Sequence, residues 1–238
     1  MQQRGVGSIL SGIRVGSVIL AALLLLQGCK ADAGKEDVSL SAKVSTQSTS
    51  RAATDQRPVI VCFGDSLTAG YGTDPGQAYP DYLQKLLDTD GHAYRVINAG
   101  VSGNTTKDGR ERVAHIIVLH PEIVVLEFGG NDGLRGLPIE ATQANMAAMV
   151  AELKQAGIKV ALAGITLPPD YGPDYIHSFD QTFRDLAAQH HPAFVPMLYK
   201  DLVHVPGTIQ QDGIHPTLKG SEIIADTLYP VLKPLLHK

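Results

Sequence analysis

The 238-residue chain is poor in cysteine, with only Cys29 and Cys62, and these lie in unlike contexts. That argues against a disulfide framework. Cys62 falls inside an apolar run and reads as a buried small hydrophobe. Strong charge is also missing. The net charge of −4 is mild and unclustered, so nucleic acid is not an expected partner. No histidine has company at metal-ligating spacing. His190-His191 precedes a proline, and His115 and His120 stand alone. Gly70-Tyr71-Gly72 with Gly76 approaches a dinucleotide fingerprint, but its spacing is one residue too long and it starts well past the preceding strand. Neither a metal nor a cofactor is expected, and no internal repeat is visible.

The chain also lacks an apolar run long enough to span a membrane comfortably. Its nearest approach is Val15 to Leu26, preceded by Arg4 and Arg14, which reads as the apolar part of an export signal. The segment ends Leu26-Gln27-Gly28-Cys29 and resembles a bacterial lipobox, with Gln27 where a small residue is usual. The resemblance implies that Cys29 becomes the lipidated first residue and attaches the protein to a membrane. The alternative is an ordinary secretory signal cut nearby, with Cys29 incidental. Either way the expected location is outside the cytoplasm, in a bacterial envelope: periplasmic or anchored as a lipoprotein. Residues 30–57 are rich in Ser, Ala, Thr, Lys and Asp without apolar period, and read as a flexible tether. A coil of that length spans roughly 30 Å.

One folded domain is expected over residues 58–238. Strand-like runs are Val59–Phe63, Tyr94–Ile97, Ile123–Phe128, Ile158–Leu162 and a short Ala193–Val195. Helix-period segments separate them. One carries Tyr79, Leu83, Leu86 and Leu87. Another carries Val113, Ile116 and Ile117 and stops before Pro121. A third carries Met146, Met149, Val150 and Leu153 and ends at Gly157 as a C′ glycine. A fourth runs from Phe179 to Ala188. The last follows Thr217 and carries Ile223, Ile224 and Leu228, with Pro230 and Pro234 making its end irregular. Such alternation predicts an α/β fold, with right-handed crossovers and a parallel sheet covered by helices on both faces.

Four blocks sit at strand ends or in a late loop: Gly64-Asp65-Ser66-Leu67, Asn98 to Asn104, Gly129-Gly130-Asn131-Asp132, and Asp212-Gly213-Ile214-His215-Pro216. Each has an ordinary reading by itself. Ser66 could cap a helix, Gly103 could serve a turn, Asn131-Asp132-Gly133 is a turn sequence, and His215 could be an exposed loop histidine. Together they hold a complete set for acyl transfer. A serine needs a base to take its proton, and the base needs a group that fixes its tautomer. Asp212 and His215, three residues apart in a loop of turn formers, can supply both to Ser66. The developing oxyanion needs donors: the N–H groups of Ser66 and Gly103 and the Asn131 amide. Asp65 is expected to hold the nucleophile loop by hydrogen bonding, and Asp132 reads as a turn residue. Gly100-Val101-Ser102-Gly103 approaches a Gly-x-Ser-x-Gly elbow, but Asn104 replaces the last glycine.

The order Ser66, Gly103, Asn131, His215 resembles the SGNH (GDSL) hydrolase superfamily over essentially the whole domain. The stretches Gly129 to Gly136 and Leu167 to Gly172 resemble its bacterial thioesterase I, lysophospholipase L1 and arylesterase branch. The resemblance implies a three-layer α/β/α, flavodoxin-like fold with five parallel strands in the order 2-1-3-4-5. It also implies an esterase acting on small acyl esters or thioesters. Leu134, Leu137 and Pro138, with Tyr171 opposite, are the expected wall of the acyl site. Two other functions stay open at this point: a carbohydrate O-acetyl esterase on the same scaffold, and a non-catalytic flavodoxin-like ligand-binding module.

Overall fold

A computed structural model describes residues 55–237. The export signal, Cys29 and nearly all of the 30–57 tether lie outside the described residues.

The first strand, β1 (Val59–Gly64), is buried along its whole length. It pairs in parallel with β2 (Arg95–Asn98) on one side and β3 (Ile123–Glu127) on the other. Then come β4 (Lys159–Ala163) and β5 (Ala193–Val195), so the order is β2-β1-β3-β4-β5, all parallel. Central strands of such a sheet are covered on both faces. They therefore read as continuous apolar runs and not as alternating ones, as Val59–Phe63 and Ile123–Leu126 do.

Helices α1 (Ser66–Ala69) and α2 (Tyr79–Thr89) follow β1, and α3 (Thr106–Ile117) follows β2. After β3 come α4 (Gly130–Leu134) and α5 (Ile139–Gln155). The long α6 (Pro173–His190) precedes β5, and α7 (Leu218–Leu232) closes the domain. Helix α2 packs on α7, while α5 packs between α3 and α6. Met146, Met149, Val150 and Leu153 of α5 are fully enclosed, each such side chain contributing about 1.5–3 kcal/mol on burial. Gly157 closes α5 at positive φ, and the N–H of Ile158 returns to the Leu153 carbonyl, as the C′ reading requires. Thr217 caps α7 by accepting from the Gly220 N–H.

Two expectations need correction. Asn131-Asp132-Gly133 is not a free turn but the middle of α4. Helix α6 starts at Pro173, six residues before Phe179, because Pro173 suits a first helical position. The end of α7 is irregular as expected: the helix runs through Pro230 to Leu232 and then tightens into a 3-10 turn at Lys233–Leu235, which holds Pro234. Strands β1, β2 and β3 all deliver their carboxyl ends to one edge of the sheet, next to the switch in strand order between β1 and β3. Ligands of open α/β sheets bind in such a crevice.

Candidate active site

The end of β1 passes directly into α1, which places Ser66 at the first helical position. The helix cap is Asp65, not Ser66. Its Oδ1 accepts from the Leu67 N–H at 3.1 Å. Ser66 Oγ is thereby left facing outward, 2.9 Å from His215 Nε2. His215 comes from the loop before α7. Its Nδ1 lies 2.6 Å from Asp212 Oδ2, while Asp212 Oδ1 accepts from the N–H groups of Ile214 and His215 at 2.9 and 3.0 Å. Partial burial pushes the Asp212 carboxyl up, but these N–H groups and the imidazole outweigh it, so it lies below the usual carboxylate range. An ionised Asp212 beside Nδ1 favours the tautomer with hydrogen there, leaving Nε2 as the acceptor for a serine proton.

The loop that carries His215 is clamped to the serine side. Gln210 Nε2 donates to the carbonyls of Tyr71 and Pro216, both at 2.8 Å. The Tyr71 N–H returns to the Ser66 carbonyl at 3.0 Å. The Tyr71 ring lies over the imidazole with centroids 4.5 Å apart. From below, the Tyr199 hydroxyl donates to the Ile214 carbonyl at 2.8 Å. Tyr71, Tyr199 and Gln210 carry no motif of their own, so only their place in the fold gives them a part here.

Asn131 joins two loops. Its Nδ2 donates to Asp65 Oδ2 and to the Asn104 carbonyl, both at 3.0 Å. The amide thus links the serine turn to the segment after β2, and Arg135 Nη2 secures the same segment by donating to the Gly103 carbonyl at 2.9 Å. Gly103 is tied to the site in this way but does not line the cavity beside Ser66. Asp65, only 2% exposed, has its carboxyl pushed up to about 6 by burial, against the opposing pull of Leu67, Asn131 and His215.

Asp132 is not a turn residue. At 2% exposure, it accepts from the Thr106 N–H at 2.8 Å and the Thr106 hydroxyl at 2.5 Å. It therefore fastens α4 to the start of α3. The side chain points inward because α4 is helical there.

A cavity of about 400 Å³ opens beside Ser66, Asn131 and His215. Leu134 lines it as expected, and so do Leu167 to Pro169. Leu137, Pro138 and Tyr171 do not. Past α4 the chain turns away: the Leu137 N–H bonds the Asp132 carbonyl, and Pro138 becomes the N-cap of α5. Tyr171 instead braces the wall from behind, its hydroxyl donating to the Leu134 carbonyl at 2.9 Å. The far wall comes mostly from segments with no motif signal, with Ile165, Met197, Val203 and Ile209, joined by Ile214 of the histidine block. A serine with an imidazole at Oγ, an aspartate behind the imidazole and an apolar cavity alongside can attack an acyl carbonyl and shelter its chain.

Comparison with known proteins agrees with this chemistry. Residues 62–223 match the family described as GDSL-like lipase/acylhydrolase. The chain is 42% identical over 178 residues to the esterase TesA of Pseudomonas aeruginosa, covering 74% of this chain and 89% of that protein. It is 33% identical over 179 residues to thioesterase 1/protease 1/lysophospholipase L1 of Escherichia coli K12, covering 75% and 85%. A crystal structure of TesA superposes with a TM-score of 0.72 at 42% identity, over 76% of this chain and all of that one. The chain therefore belongs to the GDSL-like lipase/acylhydrolase family, and is a carboxylic ester hydrolase of its serine type.

Proposed function

We propose that Ser66 is the nucleophile of an esterase and thioesterase whose preferred substrates carry medium-length apolar acyl chains. The observation that carries this reading is the Ser66–His215–Asp212 relay opening onto an apolar cavity of about 400 Å³. Ser66 Oγ attacks the acyl carbonyl carbon as His215 Nε2 takes its proton. Asp212 holds the imidazole and balances its charge. The carbonyl oxygen becomes an oxyanion that accepts from the N–H groups of Ser66 and Gly103 and from Asn131. The Asn131 hydrogens are both engaged at rest. A full anion is a better acceptor than the neutral Asn104 carbonyl, so one of them is transferred as charge develops. The tetrahedral intermediate collapses, and His215 protonates the leaving oxygen or sulfur. Water, deprotonated by the same imidazole, then releases the acid from Ser66.

Labelling with a fluorophosphonate tests the nucleophile, with covalent mass expected on Ser66 and none on Ser66→Ala. A matched series of esters from acetyl to octanoyl tests the cavity. kcat/KM should rise along the series, each useful methylene contributing up to about 0.8 kcal/mol until the wall is reached. Activity confined to acetyl esters would replace this reading by that of a carbohydrate O-acetyl esterase. An unlabelled, inactive chain would leave a ligand-binding module.

The same reading extends to location. The Leu26-Gln27-Gly28-Cys29 sequence supports export and acylation at Cys29. Two or more acyl chains would give stable membrane attachment, at about 0.8 kcal/mol per buried methylene. Mass spectrometry of the exported protein should find an acylated N-terminal Cys29, and an unmodified N-terminus elsewhere would overturn the anchor. Among the described residues no helix is long and apolar enough to cross a membrane.

A further inference from the structure

Beneath the nucleophile turn lies an acid that the reaction as drawn does not use. Glu127 ends β3 and is 0% exposed. Its Oε2 accepts from the Thr68 hydroxyl at 2.8 Å and from the Asp65 N–H at 3.4 Å. These two donors stand on either side of Ser66 in the chain. Thr68 Oγ1 is in turn 3.0 Å from the Tyr79 hydroxyl. Glu127 Oε1 is fully buried and has no hydrogen-bond partner among the described residues. The fit is tight: a Cβ on Gly64 would come within 2.5 Å of Glu127 Oε2, so the strand must end in glycine for the carboxyl to sit there.

The ionisable groups that face this carboxyl are Asp65 from the serine turn, Cys62 from β1, Tyr79 from α2 and Tyr199 from the segment after β5. None of them can offer a positive charge. Arg112, which approaches the same turn between Phe63 and Phe128, donates to the carbonyls of Gly64 and Ala99 instead. An ionised Glu127 would therefore leave one charged oxygen bare in an apolar interior, beside the Asp65 carboxylate. A protonated Glu127 avoids both penalties while Oε2 still accepts.

Taking Ser66 as the nucleophile, we propose that Glu127 is kept as a neutral carboxylic acid with its proton on Oε1. It is a positioning residue whose Oε2 pins Asp65 and Thr68, and so holds Ser66 Oγ against His215 Nε2. Burial, and secondarily the charge of Asp65, raise the Glu127 carboxyl well above its ordinary value, in agreement with that protonation state.

The test uses the full chain carrying Glu127→Gln or Glu127→Ala. Glutamine keeps a neutral acceptor for Thr68 and Asp65. Its kcat and fluorophosphonate labelling rate should stay within about threefold of wild type. Alanine frees the turn, and both should fall on the order of 10- to 100-fold, as expected when a reacting atom is misplaced. KM should hardly change, because Glu127 does not line the cavity. Difference infrared spectra of wild type against Glu127→Gln, taken well above the Asp65 value of about 6, should show a protonated-acid C=O band lost in the variant. A folded Glu127→Gln as slow as Glu127→Ala, or absence of that band, would overturn the neutral acid. Wild-type rates in both variants would overturn the positioning role. Should the alanine variant not fold, the glutamine rates and the infrared band decide. Failure of the wild type itself to label would instead overturn Ser66 as nucleophile.

Discussion

Ser66 and His215 meet at 2.9 Å, yet the segments that carry them are held in different ways. The serine turn is fastened from inside. Asp65, Thr68 and Glu127 beneath it are all buried. Its acids sit above their ordinary values because burial dominates. The histidine loop is fastened from outside. Asp212 is 37% exposed and His215 16%. The Asp212 carboxyl lies below its ordinary value because donors outweigh its partial burial. Gln210, Tyr71 and Tyr199 clamp that loop from its flanks. Ser66 thus rests on the carboxyl edge of the sheet, while His215 and Asp212 are held where solvent can reach them.

Breaking the outer side should cost the most. Asp212→Asn keeps the shape but removes the charge that selects the imidazole tautomer, so kcat should fall by about 10⁴ with the fold intact. Steady-state kinetics with circular dichroism checks this. A loss under tenfold would mean that the clamps alone orient His215.

On the inner side, Asn131→Ala removes the amide that links Asp65 to the Asn104 carbonyl. A drop of about 10² to 10³ in kcat is expected, with KM little changed. A rise in KM at constant kcat, in a variant still folded, would make Asn131 a substrate-binding residue and leave the oxyanion to the backbone donors.

The smallest effect separates the two sides by pH. A buried acid with a raised value stabilises the fold fully only below its ordinary value, and that contribution is lost as pH rises through the folded value. Asp65, from 3.8 to about 6, and Glu127, from 4.5 upward, both behave so. Asp212 has the opposite sign: its contribution is present above its ordinary 3.8 and lost as pH falls through its lower folded value. Urea unfolding of wild type and Glu127→Gln should therefore diverge as pH rises from the ordinary 4.5 toward the raised folded value of Glu127. Wild type should lose up to about 1.4 kcal/mol per pH unit relative to the variant. Parallel curves across that range would show that Glu127 ionises at an ordinary value.

The sequence by itself determined the strands and the reactive residue types at their ends. Apolar β-branched runs and turn residues are local signals, so Val59–Phe63 and Ile123–Leu126 were legible as strands. The blocks around Ser66, Asn131 and His215 were legible as candidate acyl-transfer parts, and the fold brings them together. Only the tertiary structure decided what surrounds them. Leu137 and Pro138 follow the Asn131 block in sequence, but the end of α4 carries them off the cavity, while Ile165, Met197 and Val203 arrive from distant segments. Asp132 looked like a turn residue and became an internal fastening for α3, because helical geometry and not composition sets where a side chain points. Glu127 is in sequence a single polar residue inside the apolar run Ile123–Phe128. Its burial beneath Ser66 arises only when β3 is laid beside β1 in register, Gly64 opposite Glu127. Long-range register is not encoded in any short window, and in this protein it decides which buried acid lies beneath the Ser66 turn.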